Sequence, residues 1–267
     1  MDPVRWDDLF TRDVDERPVQ FVRPADTDRP VWAVYEGGGY LGTVLAERDD
    51  GQTAWRLLVS REMHREVDDA VRALRRPASW PHQRQEATAW ARRLLADESV
   101  VVADVETTGL EDAYAVQIAV VDHGGQVVFS QYVQPDAGIE PAAVAVHGIT
   151  HERVAHAATF GQLLPALTQA LQGRTAVAYN ADFDRGVFAR ELARHHRGDT
   201  AAAARWLDRV RWQDAMAPYA VWKGLWSVKR GAYRNQPLGG PHDAIADCCL
   251  LLAKIEHMAT AAPSSRW

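Results

Sequence analysis

The residues of this chain with the clearest chemical potential lie in Asp104-Val105-Glu106-Thr107-Thr108-Gly109-Leu110. The apolar, β-branched run at 99–103 predicts a buried strand that ends here. Asp104 and Glu106 are two residues apart, so on a strand both carboxylates project from one face. Because a buried charge is costly unless it is paired or bound to a metal, the pair predicts a divalent cation with oxygen ligands. Two solvated acids at a strand end are the alternative for this pattern alone.

Two later segments place further acids at the start of a helix. In the segment 179–184 a short strand gives way to a helix whose first turn contains Asp182 and Asp184. Asn180 can cap that helix. Acids near a helix N-terminus complement the helix dipole, and this explanation is sufficient for Asp182.

The second such segment is 242–247, at the start of the last helix. Positions five apart on an ideal helix lie about 140° apart. His242 is therefore expected in the loop and Asp247 on the helix, so that both converge on one site, while Asp243 caps the helix. A lone loop histidine, His147, is expected to be a structural hydrogen bonder.

The elements that must position these residues fall into two regions. Residues 1–97 predict a small α+β module with an irregular or partly ordered lead-in at 1–30, strands at 31–35, 40–47 and 53–59, and helices at 62–75 and 83–96. The Gly37-Gly38-Gly39 run joins two strands, so it is not a phosphate loop. Residues 98–267 predict strands at 99–106, 115–122, 127–133 and 175–179, and helices at 159–171, 181–195, 198–208, 213–222 and 241–258. A strand meander followed by alternating strands and helices indicates an α/β domain with a mixed sheet flanked by helices.

The composition is that of a globular protein. The 267 residues are 47% hydrophobic and 25% charged, and no apolar run approaches the length of a membrane span. The acidic N-terminus lacks the features of a signal peptide. Adjacent Cys248 and Cys249 sit in a helical pattern and are expected to be core thiols. These features predict a cytoplasmic protein without a membrane partner.

The net charge of −6 argues against indiscriminate nucleic-acid binding, but the charges are unevenly distributed. Residues 185–234 contain 11 Arg and Lys but only 4 Asp and Glu. This basic segment is a candidate for phosphate contacts.

The three motifs together resemble those of the DEDDh 3′–5′ exonucleases, which include the proofreading epsilon subunit of bacterial DNA polymerase and RNase T. The matching residues are Asp104-x-Glu106-Thr-Thr-Gly-Leu, Asn180-Ala-x-Phe183-Asp184 and His242-x-x-x-x-Asp247. The resemblance covers approximately residues 98–259. It implies an RNase H-like fold, which is a mixed five-strand sheet flanked by helices. Residues 1–97 have no counterpart in those enzymes, and Gln117 stands where the family often has Glu.

By this resemblance, the chain hydrolyses phosphodiester bonds from the 3′ end of single-stranded DNA or RNA with two Mg²⁺ ions, for which Mn²⁺ can substitute. Asp104 would bridge the ions, Glu106 and Asp247 would hold the ion that orients the attacking water, and Asp184 would hold the other. His242 would be the general base, a role suited to a group that titrates near neutrality.

The resemblance also implies two substrate-binding residues. Thr107 would meet the terminal 3′-OH through its backbone, and Leu110 would wedge against the bases, whereas Phe183 is expected in the core. An alternative function remains open, in which residues 1–97 bind nucleic acid or a protein partner and the nuclease domain is accessory.

Overall fold

The computed structural model describes residues 7–25, 27 and 29–260 of the chain. Their contacts divide the chain into two compact units. The first contains the described residues up to Arg84 together with Lys223–Arg234, and the second contains Gln85–Trp222 and the described residues from Asn235 onward. Sequence reasoning placed one boundary between residues 97 and 98. The contacts instead divide the chain between residues 84 and 85 and assign a later segment to the first unit.

The first unit is an antiparallel six-stranded meander with one helix packed on it. Its strands follow chain order: β1 (Leu9–Asp13), β2 (Pro18–Val22), β3 (Val31–Glu36), β4 (Gly39–Asp49), β5 (Gln52–Leu57) and β6 (Met63–His64), followed by α1 (Val67–Leu74). Aromatic residues fill its core, where the ring centroids of Trp32 and Trp55 lie 5.8 Å apart. Leu225, from the later segment, is buried in the same core.

Two predictions about this unit were wrong. The lead-in at 1–30 is not irregular, because β1 and β2 pair within it; residues 1–6 lie outside the described residues. The inward-facing residues of β2, Val19 and Phe21, alternate with exposed ones, which is the pattern of a half-buried strand. The helix expected from residue 62 begins only at Val67, because Met63 pairs with Arg56 across two strands.

An ion cluster ties the later segment into the first unit. Asp15 receives hydrogen bonds from Arg72 at 2.9 Å and from Arg234 at 2.6 Å, and Arg75 lies 3.6 Å away. Burial opposes ionisation of Asp15, but the hydrogen bond and the charges of these arginines still lower its pKa. Lys229 forms an ion pair with Glu16 at 2.7 Å. These residues of the basic segment therefore serve the folding of the first unit.

The second unit is built on a mixed sheet with the strand order β10-β9-β8-β7-β11-β12. Strands β7 to β9 form an antiparallel meander, and β11 and β12 are added in parallel on the other side of β7. The strands are β7 (Val100–Thr107), β8 (Ala115–Asp122), β9 (Val127–Gln134), β10 (Ala158–Thr159), β11 (Thr175–Ala178) and β12 (Arg211–Asp214). Together with the first unit, this arrangement confirms the predicted fold class, an α/β mixed sheet flanked by helices and preceded by a small α+β module, with six strands where the resemblance implied five.

Helices cover both faces of this sheet. The helices after α1 are α2 (Trp80–Leu95), α3 (Pro141–His147), α4 (His151–Val154), α5 (Phe160–Leu171), α6 (Ala181–His195), α7 (Thr200–Leu207), α8 (Met216–Lys223) and α9 (Ala244–Thr260). Two short paired strands, β13 (Trp226–Ser227) and β14 (Ala232–Tyr233), belong to the first unit. Odd-numbered residues of β7 pack on the side of α5 and α6, and even-numbered ones on the side of α9. None of the described helices is long and apolar enough to span a bilayer.

Three local predictions in this unit needed correction. The helix expected over 213–222 begins only at Met216, because residues 211–214 form a strand that pairs in parallel with β11. The last helix begins at Ala244, not at Pro241. Of the two cysteines only Cys248 is buried, because neighbouring positions on a helix point about 100° apart.

Candidate active site

Asp104 and Glu106 lie on the face of β7 that α9 covers. Because their spacing matches the period of the strand, both side chains follow Val102 toward the helix, where Asp247 lies in the first turn. Glu106 is 9% exposed and Asp247 5% exposed. Strand and helix thus bring three carboxylates from distant parts of the sequence to one place.

A cleft of about 390 Å³ contains all five residues that sequence reasoning proposed as catalytic. Asp184 enters it from the first turn of α6 and is 3% exposed. His242 enters from the loop before α9. The other residues along the cleft are Val105, Tyr179, Phe183, Pro237, Leu238, Gly239 and Gly240. None of the described residues that line the cleft is Lys or Arg. Phe183 was expected in the core, and it lines the cleft while also packing on the core.

Glu106, His242 and Asp247 form the tightest group in the cleft. One ligating atom from each, a carboxylate oxygen or an imidazole nitrogen, lies within 4.8 Å of the others. This spacing fits a divalent ion held by the two carboxylates with the imidazole beside it.

His242 is held outside α9 by a cap on that helix. Asp243 Oδ1 accepts a hydrogen bond from the backbone N–H of Ala246 at 3.1 Å, which confirms the predicted cap. Gln117 on β8 donates to Asp243 at 3.0 Å and accepts from the N–H of Ala244 at 3.2 Å. His242 itself has a left-handed backbone, with φ of 57°. The side chain of Gln117 thus anchors the start of α9, a role that its position in the sequence did not reveal.

The carboxylates of the cleft repel one another. Burial, together with the charges of Asp247 and Asp243, raises the pKa of Glu106 to about 7. Burial and the neighbouring charges of Glu106 and Asp247 raise the pKa of Asp104 well above its usual range, and burial and Asp104 do the same for the pKa of Asp184. Without a cation, the charged form of this cluster is strongly disfavoured.

Asp247 supplies a further indication of a cation site. Its Oδ1 atom is buried and has no hydrogen-bond partner among the described residues, which is unusual for a buried carboxylate oxygen. A Cβ atom on Gly240 would lie 1.6 Å from this oxygen. The backbone therefore approaches the carboxylate as closely as only glycine permits. A set of buried carboxylates that includes an oxygen without a hydrogen-bond partner fits a divalent cation with oxygen ligands.

The two predicted substrate-binding residues lie beside the cleft rather than in its lining. Thr107 is buried, and its hydroxyl donates to the carbonyl of Gly109 at 2.7 Å. The carbonyl of Thr107 accepts from Nε2 of His147 at 3.0 Å, while Nδ1 of that histidine accepts from the N–H of Ile149 at 3.0 Å. His147 is therefore a structural hydrogen bonder, as predicted, and burial lowers its pKa. Leu110 is 80% exposed.

The start of α6 differs from prediction in its cap. Asn180 stands at the cap position with φ of 72°, but its side chain makes no capping bond. Asp214 of β12 replaces it, since its Oδ1 accepts from the N–H groups of Asn180 at 3.0 Å and Ala181 at 3.2 Å. Asp182 is exposed, in agreement with a helix-dipole role.

The chain is similar to exonucleases among known structures and sequences. Exonuclease X in complex with 5′ overhanging duplex DNA is 27% identical, over 62% of this chain and 96% of that chain, with a TM-score of 0.39. Escherichia coli Exonuclease I in complex with a dA16 oligonucleotide is 20% identical, over 60% and 41%, with a TM-score of 0.46.

Among curated sequences, an uncharacterized exonuclease of Escherichia phage 186 is 30% identical over 63% of this chain and 92% of the phage protein. The PolC-type DNA polymerase III of Bacillus cereus is 34% identical over 36% of this chain, a match that spans only 7% of the polymerase. The RNase_T exonuclease model matches residues 101–254, which include all five proposed catalytic positions. This chain therefore belongs to the RNase_T family of exonucleases.

Proposed function

We propose that this protein is a divalent-metal-dependent 3′–5′ exonuclease that acts on single-stranded ends of DNA or RNA. The observation that carries the proposal is the convergence of four carboxylates and one histidine in a single cleft, among whose described lining residues there is no Lys or Arg. Phosphodiester hydrolysis places charge on the attacking and leaving oxygens, and carboxylate-held metal ions are a general means of stabilising both.

Asp104, Glu106, Asp184 and Asp247 are the residues that would hold the metal ions, in agreement with the role that the family resemblance gives them. Mg²⁺ suits ligation by oxygens alone, and Mn²⁺ tolerates the same donors. When bound, the ions would supply charge stabilisation and a more acidic water. The buried, mutually repelling carboxylates supply a site that favours a cation over free acid groups.

His242 is proposed as the general base, which accepts a proton from the attacking water on an imidazole nitrogen. Its place in the loop before α9 leaves the ring exposed, so a proton can pass on to solvent. A ring nitrogen also lies within 4.8 Å of a carboxylate oxygen of Glu106 and of Asp247, the two residues that would hold the ion that orients the water.

Thr107 and Leu110 are proposed to meet the 3′-terminal nucleotides, through the Thr107 backbone and the exposed Leu110 side chain. Phosphates further along the strand are proposed to meet basic residues of α6 and the following segment. Lys229 and Arg234 are excluded from that surface, because they pair with Glu16 and Asp15 of the first unit.

The proposal is tested with 5′-labelled single-stranded DNA and RNA oligonucleotides incubated with Mg²⁺ or Mn²⁺. The wild type should give a ladder that shortens from the 3′ end, and Asp104→Ala should give none although it remains folded. Comparison of the two ladders ranks DNA against RNA. Full activity of Asp104→Ala would refute the proposed site.

The first unit is proposed to bind a protein partner or part of the substrate, and the protein is proposed to be cytoplasmic. A fragment of residues 98–267 cannot test this cleanly, because Leu225 would lose the core in which it is 4% exposed. We expect that fragment to be less stable than the whole chain. A fragment of residues 98–267 from which residues 223–234 are also removed is the better comparison. This fragment and the 98–267 fragment should both be assayed for thermal unfolding and nuclease activity.

A further inference from the structure

Leu110 is carried by a short loop, residues 109–113, that joins β7 to β8. Backbone contacts close the base of this loop: the N–H of Thr108 donates to the carbonyl of Tyr114 at 2.9 Å, and the N–H of Tyr114 donates to the hydroxyl of Thr108 at 3.0 Å. Beyond that base, Leu110 is 80% exposed. The position of the Leu110 side chain therefore depends on the contacts of residues 112 and 113, where the loop returns to β8.

Arg194, on α6, holds that half. Its Nη1 atom donates to the carbonyl of Ala113 at 3.1 Å and its Nη2 atom to the carbonyl of Asp112 at 2.5 Å. The guanidinium also stacks on the ring of Tyr114, 3.5 Å from its centroid. Asp112 has φ of 44°, a left-handed conformation that costs energy in a residue with a side chain. The bond to its carbonyl helps to maintain that conformation.

Glu191, one turn earlier on the same helix, contacts both the start of β8 and Arg194. It is 5% exposed, its Oε1 atom accepts from the N–H of Ala115 at 2.8 Å, and the same oxygen lies 3.8 Å from Nη1 of Arg194. Tyr114, Glu191 and Arg194 also line a cavity of about 220 Å³. The loop is therefore supported on this side by the hydrogen bonds of Arg194 and Glu191 and by the contact between the guanidinium and the Tyr114 ring.

We propose that Arg194 and Glu191 are positioning residues that set the place of Leu110 against the terminal bases, and so determine how tightly a 3′ end is bound and whether a base-paired end is accepted. The inference rests on the proposed function. Only the planar fork of an arginine can bond two neighbouring carbonyls while it stacks on a ring, so lysine is a poor replacement.

Steady-state kinetics on a single-stranded oligonucleotide and on a blunt duplex test the inference. In Arg194→Ala we expect KM to rise roughly tenfold, as befits the loss of two charge-assisted bonds, with kcat little changed. Activity on the duplex should fall further than activity on the single strand, and Arg194→Lys should not restore it. Arg174→Ala is the matched control, because Arg174 precedes β11 at the end of the sheet remote from Asp104. It should match the wild type.

A double-mutant cycle separates positioning from general stability. If Arg194 acts through Leu110, then Arg194→Ala should add little to the KM of Leu110→Ala. Equal effects of Arg194→Ala in both backgrounds, or a lower Tm with unchanged KM, would overturn the inference.

Hydrogen exchange at residues 109–115 gives a reading that needs no substrate. Faster exchange in Arg194→Ala than in Arg174→Ala supports the restraint, and equal exchange overturns it. Wild-type protein that fails to shorten 3′ ends would instead refute the proposed function, so the two failures are distinguishable.

Discussion

Replacing Glu106 by glutamine should stabilise the metal-free protein at pH 8, although it removes a proposed ligand. In the folded protein, burial and neighbouring carboxylates raise the pKa of Glu106 from 4.5 to about 7. Since a tenfold change in an ionisation equilibrium corresponds to about 1.4 kcal/mol, ionising Glu106 costs the folded state roughly 3 kcal/mol once the pH exceeds 7. Glutamine has a similar shape and no charge, so it avoids that cost.

The direction of the pKa shift of Glu106 determines how the stability of the folded protein depends on pH. A carboxyl whose pKa is raised by folding is destabilising above its unfolded pKa, so the wild type should lose stability as the pH rises from 4.5 to 7. At pH 5 the advantage of Glu106→Gln should therefore shrink to about 1 kcal/mol or less. At pH 8 it corresponds to a rise in Tm of roughly 10 °C for a unit of this size.

The assay is thermal unfolding in a chelator at pH 5 and pH 8, repeated with Mn²⁺. Glu256→Gln is the control, because Glu256 is exposed on α9. Mn²⁺ should raise the Tm of the wild type and of the control more than that of Glu106→Gln, since the variant has lost a ligand. An equal or lower Tm for Glu106→Gln at pH 8 without metal would refute the account of repelling carboxylates.

Two further substitutions test other parts of the structure. Gly240→Ala would place a Cβ atom 1.6 Å from Oδ1 of Asp247, so the carboxylate or the loop must move. Nuclease activity on a labelled oligonucleotide should then fall by roughly 100-fold or more, while the Tm changes little. Although partial burial opposes ionisation of Glu62, the nearby His64 and two hydrogen bonds from Arg76 lower its pKa from 4.5 to about 2. Glu62→Gln should therefore lower the free energy of unfolding by roughly 2 kcal/mol at pH 7. Urea unfolding should show that this loss of stability disappears as the pH falls from 4.5 to 2. A loss of stability that is the same at pH 2 and pH 7 would contradict the pairing.

The parts of the site that depend on local periodicity could be predicted from sequence. The two-residue spacing of Asp104 and Glu106 determines their common face once β7 is a strand. The five-residue spacing of His242 and Asp247 is too wide for one face of a helix, which correctly separated loop from helix. The runs of β7, β8 and β11 are strongly apolar and buried, so these strands could be predicted from their composition.

What sequence reasoning missed depends on contacts between distant segments. β12 resembles the start of a helix until its parallel partner β11 is known. Asp214 and Gln117 look like ordinary surface residues, yet they anchor the first turns of α6 and α9 from other strands. The segment 223–234 follows the nuclease motifs in sequence, but Leu225 and the ion pair of Arg234 place it in the first unit. No local pattern carries that information.

The direction of hydrolysis is the most direct test of the central claim. Two single-stranded oligonucleotides of identical sequence are needed, one with nuclease-resistant linkages at its 3′ end and the other with the same linkages at its 5′ end. With Mg²⁺ or Mn²⁺, the wild type should degrade the 5′-protected strand and leave the 3′-protected strand intact, and Asp184→Asn should degrade neither. Degradation of the 3′-protected strand, or activity that persists in a chelator, would contradict the account.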